Sequence, residues 1–397
     1  MKPLLLTLLA LTVMAMAQDL DIANILRNGN NRFTARMFYE VVNVKENEKK
    51  SVVLSAFSVL TPLAQLALAS EGPSHDELLN AIGFPDDNTT TAVFSLIDEK
   101  DSSIKGVQLK KASKVYIRLD YKIHEEFAKV SKSAFHSEIA NIDFSDNERA
   151  ANEVNSWVED QTNHRIKNLI DPGTINYKTV AMLVNALYFK GAWKYPFTEL
   201  STRGQDFYVT KTETTRVSMM HNTMHYSYGY SDKLRSKFLE LPYAGDQASL
   251  LIVLPHDVEY IGSLIEQLRD PNVLEEETKN MYEVEVDVSL PKFKIETTTN
   301  LKEVLEKMNV TKIFGDEAKL IKLLETDKNL YISNAVQKAF IEVNEEGAEA
   351  AAANVFDIAL SDSLDTPLRH EFIADHPFVF YLKVHNDILF NGVFYGS

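Results

Sequence analysis

The sequence predicts an α+β protein in which helices come first and long strands follow. Apolar residues recur at three- and four-residue steps between Ile22 and Val41, which is typical of a helix. Runs rich in β-branched and aromatic residues dominate the later part of the chain. The two kinds of element do not alternate regularly, and regular alternation is what a parallel doubly wound sheet requires. An α+β architecture is therefore favoured.

Local patterns predict four further helices. The segment from Ser58 to Leu68 is almost entirely apolar, which predicts a central, buried helix. Ser74 followed by Glu77 has the spacing of a capping box at the start of the next helix. Helices are also predicted from Glu125 to Lys132 and from Asn147 to Thr162.

The strands are predicted from long β-rich runs in the middle and the last third of the chain. These runs are Val107 to Ile117, Val180 to Phe189, Leu250 to Leu254, Val284 to Ile295, Tyr331 to Val343, Phe378 to Val384 and Ile388 to Tyr395. No internal repeat and no linker rich in Gly, Pro or Ser divides the chain. Its 397 residues permit two or three domains, or one large mixed domain.

Composition excludes several classes of protein. The chain has no cysteine, which excludes a disulfide scaffold, a thiolate metal site, an iron–sulfur cluster and a cysteine nucleophile. A chain of this length buries a core without such cross-links. Its 41 basic and 57 acidic residues give a formal charge of −16, which argues against binding to nucleic acid.

The first 17 residues have the pattern of a signal peptide. Lys2 precedes an apolar run from Leu4 to Val13, and Ala15-Met16-Ala17 is a small-x-small cleavage site. No later stretch approaches the ~18 uninterrupted apolar residues of a membrane span. We therefore expect a secreted, extracellular protein without a membrane segment. Glycosylation sequons at Asn88 and Asn309 fit that compartment.

No catalytic or metal-binding constellation is visible. GxSxG, HExxH, P-loop and GxGxxG motifs are all missing, so we expect no enzyme. His221 and His225 are four residues apart, but their surroundings alternate like a strand, and we expect no metal site there. The acidic pairs Glu275–Glu277 and Glu345–Glu346 are interpreted as solvated groups, because little apolar sequence surrounds them.

The densest basic stretch of the chain is interpreted as a strand edge. Its lysines are interleaved with β-type residues, and the acidic net charge disfavours a polyanion site. The stretch contains Lys105, Lys110, Lys111 and Lys114.

An alanine-rich segment after the predicted strand Tyr331–Val343 has an unusual pattern. Composition alone favours a helix from Glu345 to Asn354, because Ala is the best helix former. The following residues Phe356, Ile358 and Leu360 alternate with smaller or polar ones, which is the period of a strand. Some thirty residues without settled structure then precede the strand near Phe378, and loops of that length are usually functional or disordered. Such a segment can be a loop in one state and a strand in another.

Several motifs together resemble the serpin family of serine protease inhibitors. They occur in family order and cover nearly all of the chain after the leader, and the similarity is to insect haemolymph serpins of the antitrypsin and antichymotrypsin group. The motifs are Glu345-Glu346-Gly347-Ala348-Glu349-Ala350-Ala351-Ala352, Leu54-Ser55-Ala56-Phe57-Ser58-Val59, Asn185-Ala186-Leu187-Tyr188-Phe189-Lys190-Gly191-Ala192-Trp193 with Pro196-Phe197, Leu290-Pro291-Lys292-Phe293-Lys294 and Asp375-His376-Pro377-Phe378-Val379-Phe380.

The resemblance implies a single serpin domain over residues 18–397 with three β-sheets, eight or nine helices and an exposed reactive-centre loop at about 345–372. It implies a monomer that needs no cofactor and whose partner is a serine protease. That protease would take the loop as substrate and remain trapped as a covalent acyl complex when the cleaved loop inserts into the large sheet. Neither nucleic acid nor membrane is expected as a partner. The alternative is a non-inhibitory serpin that acts as a carrier, chaperone or storage protein.

The resemblance also assigns roles to individual residues. The hinge of the loop would consist of Glu345, Glu346, Gly347, Ala348, Glu349, Ala350, Ala351, Ala352 and Ala353. The regions called shutter and breach, beneath and at the end of the large sheet, would contain Ser55, Ser58, Asn185, Trp193 and Gln337. Gln337 stands where many serpins carry a histidine, so we expect an altered hydrogen-bond network there.

Counting fourteen residues from Gly347, as the family pattern does, places the reactive bond between Ser361 and Asp362. Leu360 and Leu364 remain alternatives, because an acidic residue after the cleaved bond is unusual and the loop is long. No Lys or Arg occurs in this window. A chymotrypsin- or elastase-like target is therefore favoured over a trypsin-like one.

Overall fold

The computed structural model describes residues 2–101, 104–135, 137–325, 328, 330–346 and 369–396. These residues form nine α-helices, six short 3₁₀ helices and fourteen strands. The predicted α+β class and the predicted number of helices are confirmed.

The helices lie mostly in the first half of the chain. Their bounds are α1 Lys2–Val42, α2 Ala56–Ala69, α3 Pro73–Ile82, α4 Asp87–Asp101, α5 Glu125–Phe135, α6 Asn147–Gln161, α7 Ile261–Gln267, α8 Pro271–Thr278 and α9 Leu301–Lys307. The apolar segment predicted to be central is α2, whose side chains are almost all buried. Residues 2–17, predicted to be a leader, belong to α1, and the division into residues 1–17 and 18–397 stays a prediction.

The strands are β1 Val52–Leu54, β2 Val107–Arg118, β3 Glu138–Ile142, β4 Ala181–Gly191, β5 Arg203–Tyr208, β6 Thr214–Ser231, β7 Ser236–Pro242, β8 Ala248–Pro255, β9 Tyr282–Pro291, β10 Phe293–Asn300, β11 Asn334–Val343, β12 His370–Ile373, β13 Phe378–Val384 and β14 Asp387–Phe394. All seven predicted strand regions are strands in the structure.

A five-stranded sheet has the order β10-β11-β4-β2-β3. Its outer pair β10–β11 and its pair β2–β4 are antiparallel, whereas β11 and β4 at its centre are parallel. Lys110 and Lys111 lie where β2 pairs, among the described strands, only with β4, as expected for a strand edge. Lys114 lies beside β3, where it forms an ion pair with Glu138 at 2.9 Å.

The other nine strands form a second hydrogen-bonded sheet of two halves. The 18-residue strand β6 joins them, because its end pairs with β7 and its first part pairs with β5 and β9. The three expected sheets thus correspond to the five-stranded sheet and to these two halves. The edge strand β12 follows the alanine-rich segment and pairs with β9.

Two clusters of buried side chains flank the five-stranded sheet. The larger contains α2, the inner faces of both sheets and parts of α1 and α3. The smaller packs α6 against the opposite face of the sheet, through residues such as Val154, Tyr116 and Tyr188. The five-stranded sheet is therefore covered on both sides at its centre.

Two local predictions were wrong. Ser74 does not cap α3, whose N-cap is Gly72 with φ +58° and whose first residue is Pro73. The Ser74 hydroxyl instead accepts a hydrogen bond from the Lys319 backbone, and Glu77 accepts hydrogen bonds from the backbone of Thr311 and Lys312. These polar groups were thus selected by a tertiary contact.

The other error concerns the run from Val284 to Ile295, which is two strands and not one. β9 ends at Pro291 and belongs to the nine-stranded sheet, whereas β10 begins at Phe293 in the five-stranded sheet. Lys292 alone connects them, so its side chain lies where the two sheets meet.

Among the described residues, none of the helices is long and apolar enough to cross a membrane.

Candidate functional site

The parallel pairing of β4 and β11 forms the centre of the candidate site. We call the paired residues 182–189 of β4 and 334–341 of β11 the central seam. The register runs without a break from Asn334 opposite Met182 to Ile341 opposite Phe189. No strand lies between β4 and β11, because each is hydrogen-bonded directly to the other. The alanine-rich segment is therefore not inserted into this sheet.

Gln337 is the centre of a buried polar network beneath the seam. It is fully buried, and its Oε1 accepts a hydrogen bond from the Ser55 backbone N–H at 3.1 Å. Its Nε2 donates to the Ser55 carbonyl at 2.7 Å and to Asn185 Oδ1 at 2.9 Å, with Ser58 Oγ at 3.1 Å. One amide side chain thus contacts both strands of the seam and the start of α2.

The start of α2 presents its polar groups to the seam for a local reason. Ser55 is the N-cap of α2, and its hydroxyl accepts a hydrogen bond from the Ser58 N–H at 3.2 Å. Ser58 Oγ donates to Asn185 Oδ1 at 2.6 Å, and Asn185 Nδ2 donates to the Ser58 carbonyl at 2.9 Å. The predicted residues Ser55, Ser58, Asn185 and Gln337 therefore form one network, and Gln337 satisfies it without a titratable group.

Trp193 lies two residues after β4 and fixes the other end of the seam. Its ring is 4% exposed and stacks on Tyr243 with centroids 4.3 Å apart. Its Nε1 donates a 2.8 Å hydrogen bond to the carbonyl of Asn344, the residue after β11. Its backbone N–H donates to the Glu346 carbonyl at 3.3 Å. The chain that follows β11 is therefore held against the end of β4 up to Glu346.

Glu345 is buried beside Trp193, with its carboxylate between two donors. Lys292 Nζ lies 2.7 Å from Oε2 and Thr202 Oγ1 lies 2.9 Å from Oε1. Burial by itself raises the pKa of the Glu345 carboxyl, but hydrogen bonds from Lys292 and Thr202 outweigh it and hold the pKa below its ordinary value. The expectation that Glu345 is solvated was wrong, because its partners come from distant parts of the chain. Glu346 is exposed as expected.

The remaining predicted residues of the loop lie outside the described residues. These are the hinge residues Gly347, Ala348, Glu349, Ala350, Ala351, Ala352 and Ala353, and the candidates Leu360, Ser361, Asp362 and Leu364 for the reactive bond. The structure thus defines where the segment leaves the sheet, at Glu346, and where the described chain resumes, at Arg369 before β12.

Three functional residues were not predicted from the sequence. Lys292 and Thr202 hold Glu345, and Tyr243 supports the Trp193 ring. Lys292 lies in the quoted motif Leu290-Pro291-Lys292-Phe293-Lys294, but nothing in that motif shows a contact with a residue 53 positions later. Gly191 gave a weak indication of the aromatic contact, because a Cβ there would lie 2.6 Å from the Tyr243 ring.

The paired histidines are on β6, as their alternating surroundings predicted. His221 Nδ1 lies 2.8 Å from the Ser289 hydroxyl and Nε2 lies 3.1 Å from the Gln205 amide, while burial lowers the pKa of His221. Within the described part of the chain, no group of three His, Asp or Glu side chains could hold a metal ion.

Comparison with known proteins agrees with this geometry. The family model for Serpin (serine protease inhibitor) matches residues 28–396, and the chain belongs to this family. It is similar to Antichymotrypsin-2 of Bombyx mori, with 54% identity covering 94% of this chain and 99% of the relative. It is also similar to Antitrypsin of Bombyx mori, with 52% identity covering 98% of both chains.

Solved structures show the same architecture. Serpin48 of the insect Tenebrio molitor superposes with a TM-score of 0.85 at 36% identity, covering 94% of this chain and 98% of that one. The name of that structure describes a highly specific serpin. The resemblance seen in the sequence motifs is confirmed, and the close relatives are named as inhibitors of serine proteases.

Proposed function

We propose that the protein is a secreted suicide-substrate inhibitor of chymotrypsin- or elastase-like serine proteases. The observation that carries the proposal is the closed central seam next to the start of an undivided alanine-rich segment. That segment follows Glu346, whose carbonyl is bonded to the backbone at the end of β4. The residues after Glu346 therefore begin at the end of the gap that they would fill.

The proposed reaction begins as ordinary proteolysis. The protease serine Oγ attacks the carbonyl carbon of the reactive bond and forms an ester. The peptide C–N bond breaks, and the new amino group takes up a proton as it leaves. The N-terminal side of the cut, still joined to β11, then enters the seam between β4 and β11 and carries the attached protease with it. Distortion of the protease active site prevents water from hydrolysing the ester.

Alternation along the segment supports its role as a strand. On one face lie the small residues Ala348, Ala350 and Ala352, then Asn354 and the apolar Phe356, Ile358 and Leu360. Small side chains enter a closed seam with little obstruction, and each large apolar side chain buried later contributes roughly 1.5–3 kcal/mol. The buried Asn354 would need a hydrogen-bond partner inside. Glu349 falls on the opposite face.

The window around the reactive bond supports the proposed specificity. No Lys or Arg occurs between Glu346 and Arg369, so a trypsin-like protease finds no suitable residue there. Ser361–Asp362 remains the first candidate, with cleavage after Leu360 or Leu364 as alternatives. The names of the relatives do not decide this question, because one is an antichymotrypsin and the other an antitrypsin.

The test is incubation of the purified protein with chymotrypsin, elastase and trypsin, followed by denaturing electrophoresis and mass analysis. We expect a complex with chymotrypsin or elastase that survives denaturant, and a released C-terminal peptide whose mass identifies the bond. Plain cleavage by every protease, without a complex, would contradict inhibition and favour the alternative of a carrier, chaperone or storage protein.

A pair of variants tests insertion itself. Ala350→Arg places a charged side chain on the inward face, so we expect the protein to become a substrate that is cleaved without forming a complex. Ala351→Arg places the same side chain on the outward face and serves as the matched control. An unchanged stoichiometry of inhibition in Ala350→Arg would refute the assignment of the faces.

Secretion rests on the leader at residues 1–17. Exposure of the side chains of Asn88 and Asn309 supports glycosylation of both sequons. Expression of the full chain in insect cells should release a protein into the medium that begins at Gln18 and loses mass on treatment with a glycosidase. Retention in the cells with Met1 intact would contradict the proposal.

A further inference from the structure

A cavity of about 280 Å³ lies outside the proposed inhibitory site. One wall is formed by α1 and another by α8, and its floor is the outward face of β7, β8, β13 and the start of β14. The volume is near the lower limit of ligand pockets, which are ~300–1,000 Å³. The cavity therefore suits one small molecule and not a peptide strand.

Ionisable side chains in the cavity wall leave one cation without a counter-ion. Lys383 pairs with Glu240 at 2.8 Å, and Lys279 pairs with Glu275 at 3.4 Å. Arg27 is the fifth charged residue of the wall, and no described residue forms an ion pair with it. The cavity thus presents one net positive charge in a chain whose formal charge is −16.

The polar atoms beside that cation also lack partners. Arg27 Nε and Asn31 Oδ1 are buried and have no hydrogen-bond partner among the described residues. Tyr381 in the floor is 3% exposed, and no described residue hydrogen-bonds its hydroxyl. Buried polar groups in folded proteins are normally satisfied, so three such groups around one cavity indicate that a bound molecule completes them.

Apolar side chains complete the wall. Leu251 from β8, Leu268 from the end of α7 and Leu274 from α8 line the cavity together with Ile388. A guanidinium that lacks a partner pairs best with a carboxylate, to which it donates charge-assisted hydrogen bonds. The Tyr381 hydroxyl is a second donor for the same group, and the Asn31 amide can offer either of its ends.

We propose that this cavity binds a small amphipathic carboxylic acid, with its carboxylate on Arg27 and Tyr381 and its apolar body against the leucines. None of the lining residues belongs to the central seam or to the network around Gln337. Binding is therefore an activity of the chain separate from protease inhibition, and it does not depend on the proposed function.

The test uses octanoate as the probe and 1-octanol as its uncharged counterpart, measured by titration calorimetry and by the shift of the thermal unfolding temperature. We expect octanoate to bind with one site per chain and to raise the unfolding temperature. Loss of the charge-assisted hydrogen bonds in Arg27→Gln should weaken octanoate about tenfold or more. 1-Octanol should bind more weakly than octanoate and be indifferent to this change.

Two further variants separate the site from general effects on folding. Tyr381→Phe removes only the unpartnered hydroxyl, so we expect weaker octanoate binding at an unchanged unfolding temperature of the free protein. Arg216→Gln is the matched control, since its side chain is 69% exposed on β6, and it should bind octanoate like the parent protein.

Three results would overturn the proposal. The first is the lack of saturable binding by octanoate, phenylbutyrate and indoleacetate at concentrations up to about 1 mM. The second is equal affinity for octanoate and 1-octanol, and the third is unchanged affinity in Arg27→Gln. Failure of protease inhibition would not bear on any of these measurements, so the two proposals fail separately.

Discussion

Gln337 on β11 donates a 2.9 Å hydrogen bond from Nε2 to Oδ1 of Asn185 on β4. The two strands of the central seam are thus joined by side chains as well as by their backbones. Because Gln337 also contacts Ser55, opening the seam at this point disrupts the connection between the sheet and α2.

Removal of this amide should destabilise the protein. In Gln337→Ala, Asn185 and the Ser55 backbone each lose a partner in a fully buried site, and a cavity remains. We expect the free energy of unfolding to fall by about 2–4 kcal/mol. Urea unfolding followed by circular dichroism measures the loss. A change within experimental error would show that the network contributes no net stability.

A histidine at the same position should introduce a dependence on pH. Burial lowers the pKa of an imidazole below its ordinary value of about 6.5, so Gln337→His is neutral when folded but charged when unfolded. Its stability relative to the parent protein should therefore be constant above about pH 6.5 and fall as the pH decreases below that value. Thermal unfolding of both proteins from pH 8 to pH 5 tests this, and parallel curves would contradict it.

The Lys292–Glu345 ion pair should restrain the hinge. Lys292→Gln removes the charge while Glu345 stays buried. We expect a loss of roughly 1–2 kcal/mol, the lower part of the range for such bonds because Lys292 is nearly half exposed. The variant should form polymers faster on mild heating. Lys233→Gln, at an exposed ion pair, is the control. Equal polymerisation rates for both variants would show that the pair does not restrain the hinge.

Acid should loosen the same contact in the unmodified protein. The pKa of Glu345 in the folded state is below its ordinary value, so its contribution is complete above about pH 4.5 and is lost as the pH falls through the folded-state pKa. Hydrogen exchange of residues 340–346 should accelerate in that range. Glu345→Gln should lack this acceleration, and if it accelerates like the parent protein, another group is responsible.

Trp193 should report on insertion. The chain has two tryptophans, and Trp157 lies on α6 while Trp193 is bonded to the hinge. In Trp157→Phe, cleavage of the loop should shift the emission maximum, because the contacts of Trp193 with Asn344 and Glu346 change. Trp193→Phe should show a smaller shift. Emission unchanged by cleavage in Trp157→Phe would indicate that the hinge does not move.

The sequence predicted the elements of the fold well because their patterns are local. The buried helix α2 and the strands from β2 to β14 follow from runs of apolar residues whose length and period are visible directly. The four members of the Gln337 network were also predicted, but only through the resemblance of their motifs to a family. No spacing along the chain indicates that Ser55 and Gln337, which are 282 residues apart, share hydrogen bonds.

The errors came from tertiary contacts. Ser74 and Glu77 have the spacing of a capping box but bind the backbone of a distant segment. Glu345 has a local sequence typical of a solvated loop, yet Lys292 and Thr202 bury it. Lys292 itself stands inside a continuous β-rich run, where the change from one sheet to another leaves no compositional mark.

The parallel direction of β4 and β11 has a thermodynamic consequence. The five-stranded sheet consists of two antiparallel pieces that meet at one parallel ladder, the slightly weaker kind of pairing per residue. A segment that leaves β11 and turns back would run antiparallel to both neighbours, and would replace that one ladder with two of the stronger kind. The present arrangement of the sheet is then a metastable state, and the free energy for leaving it is contained in the direction of its own strands.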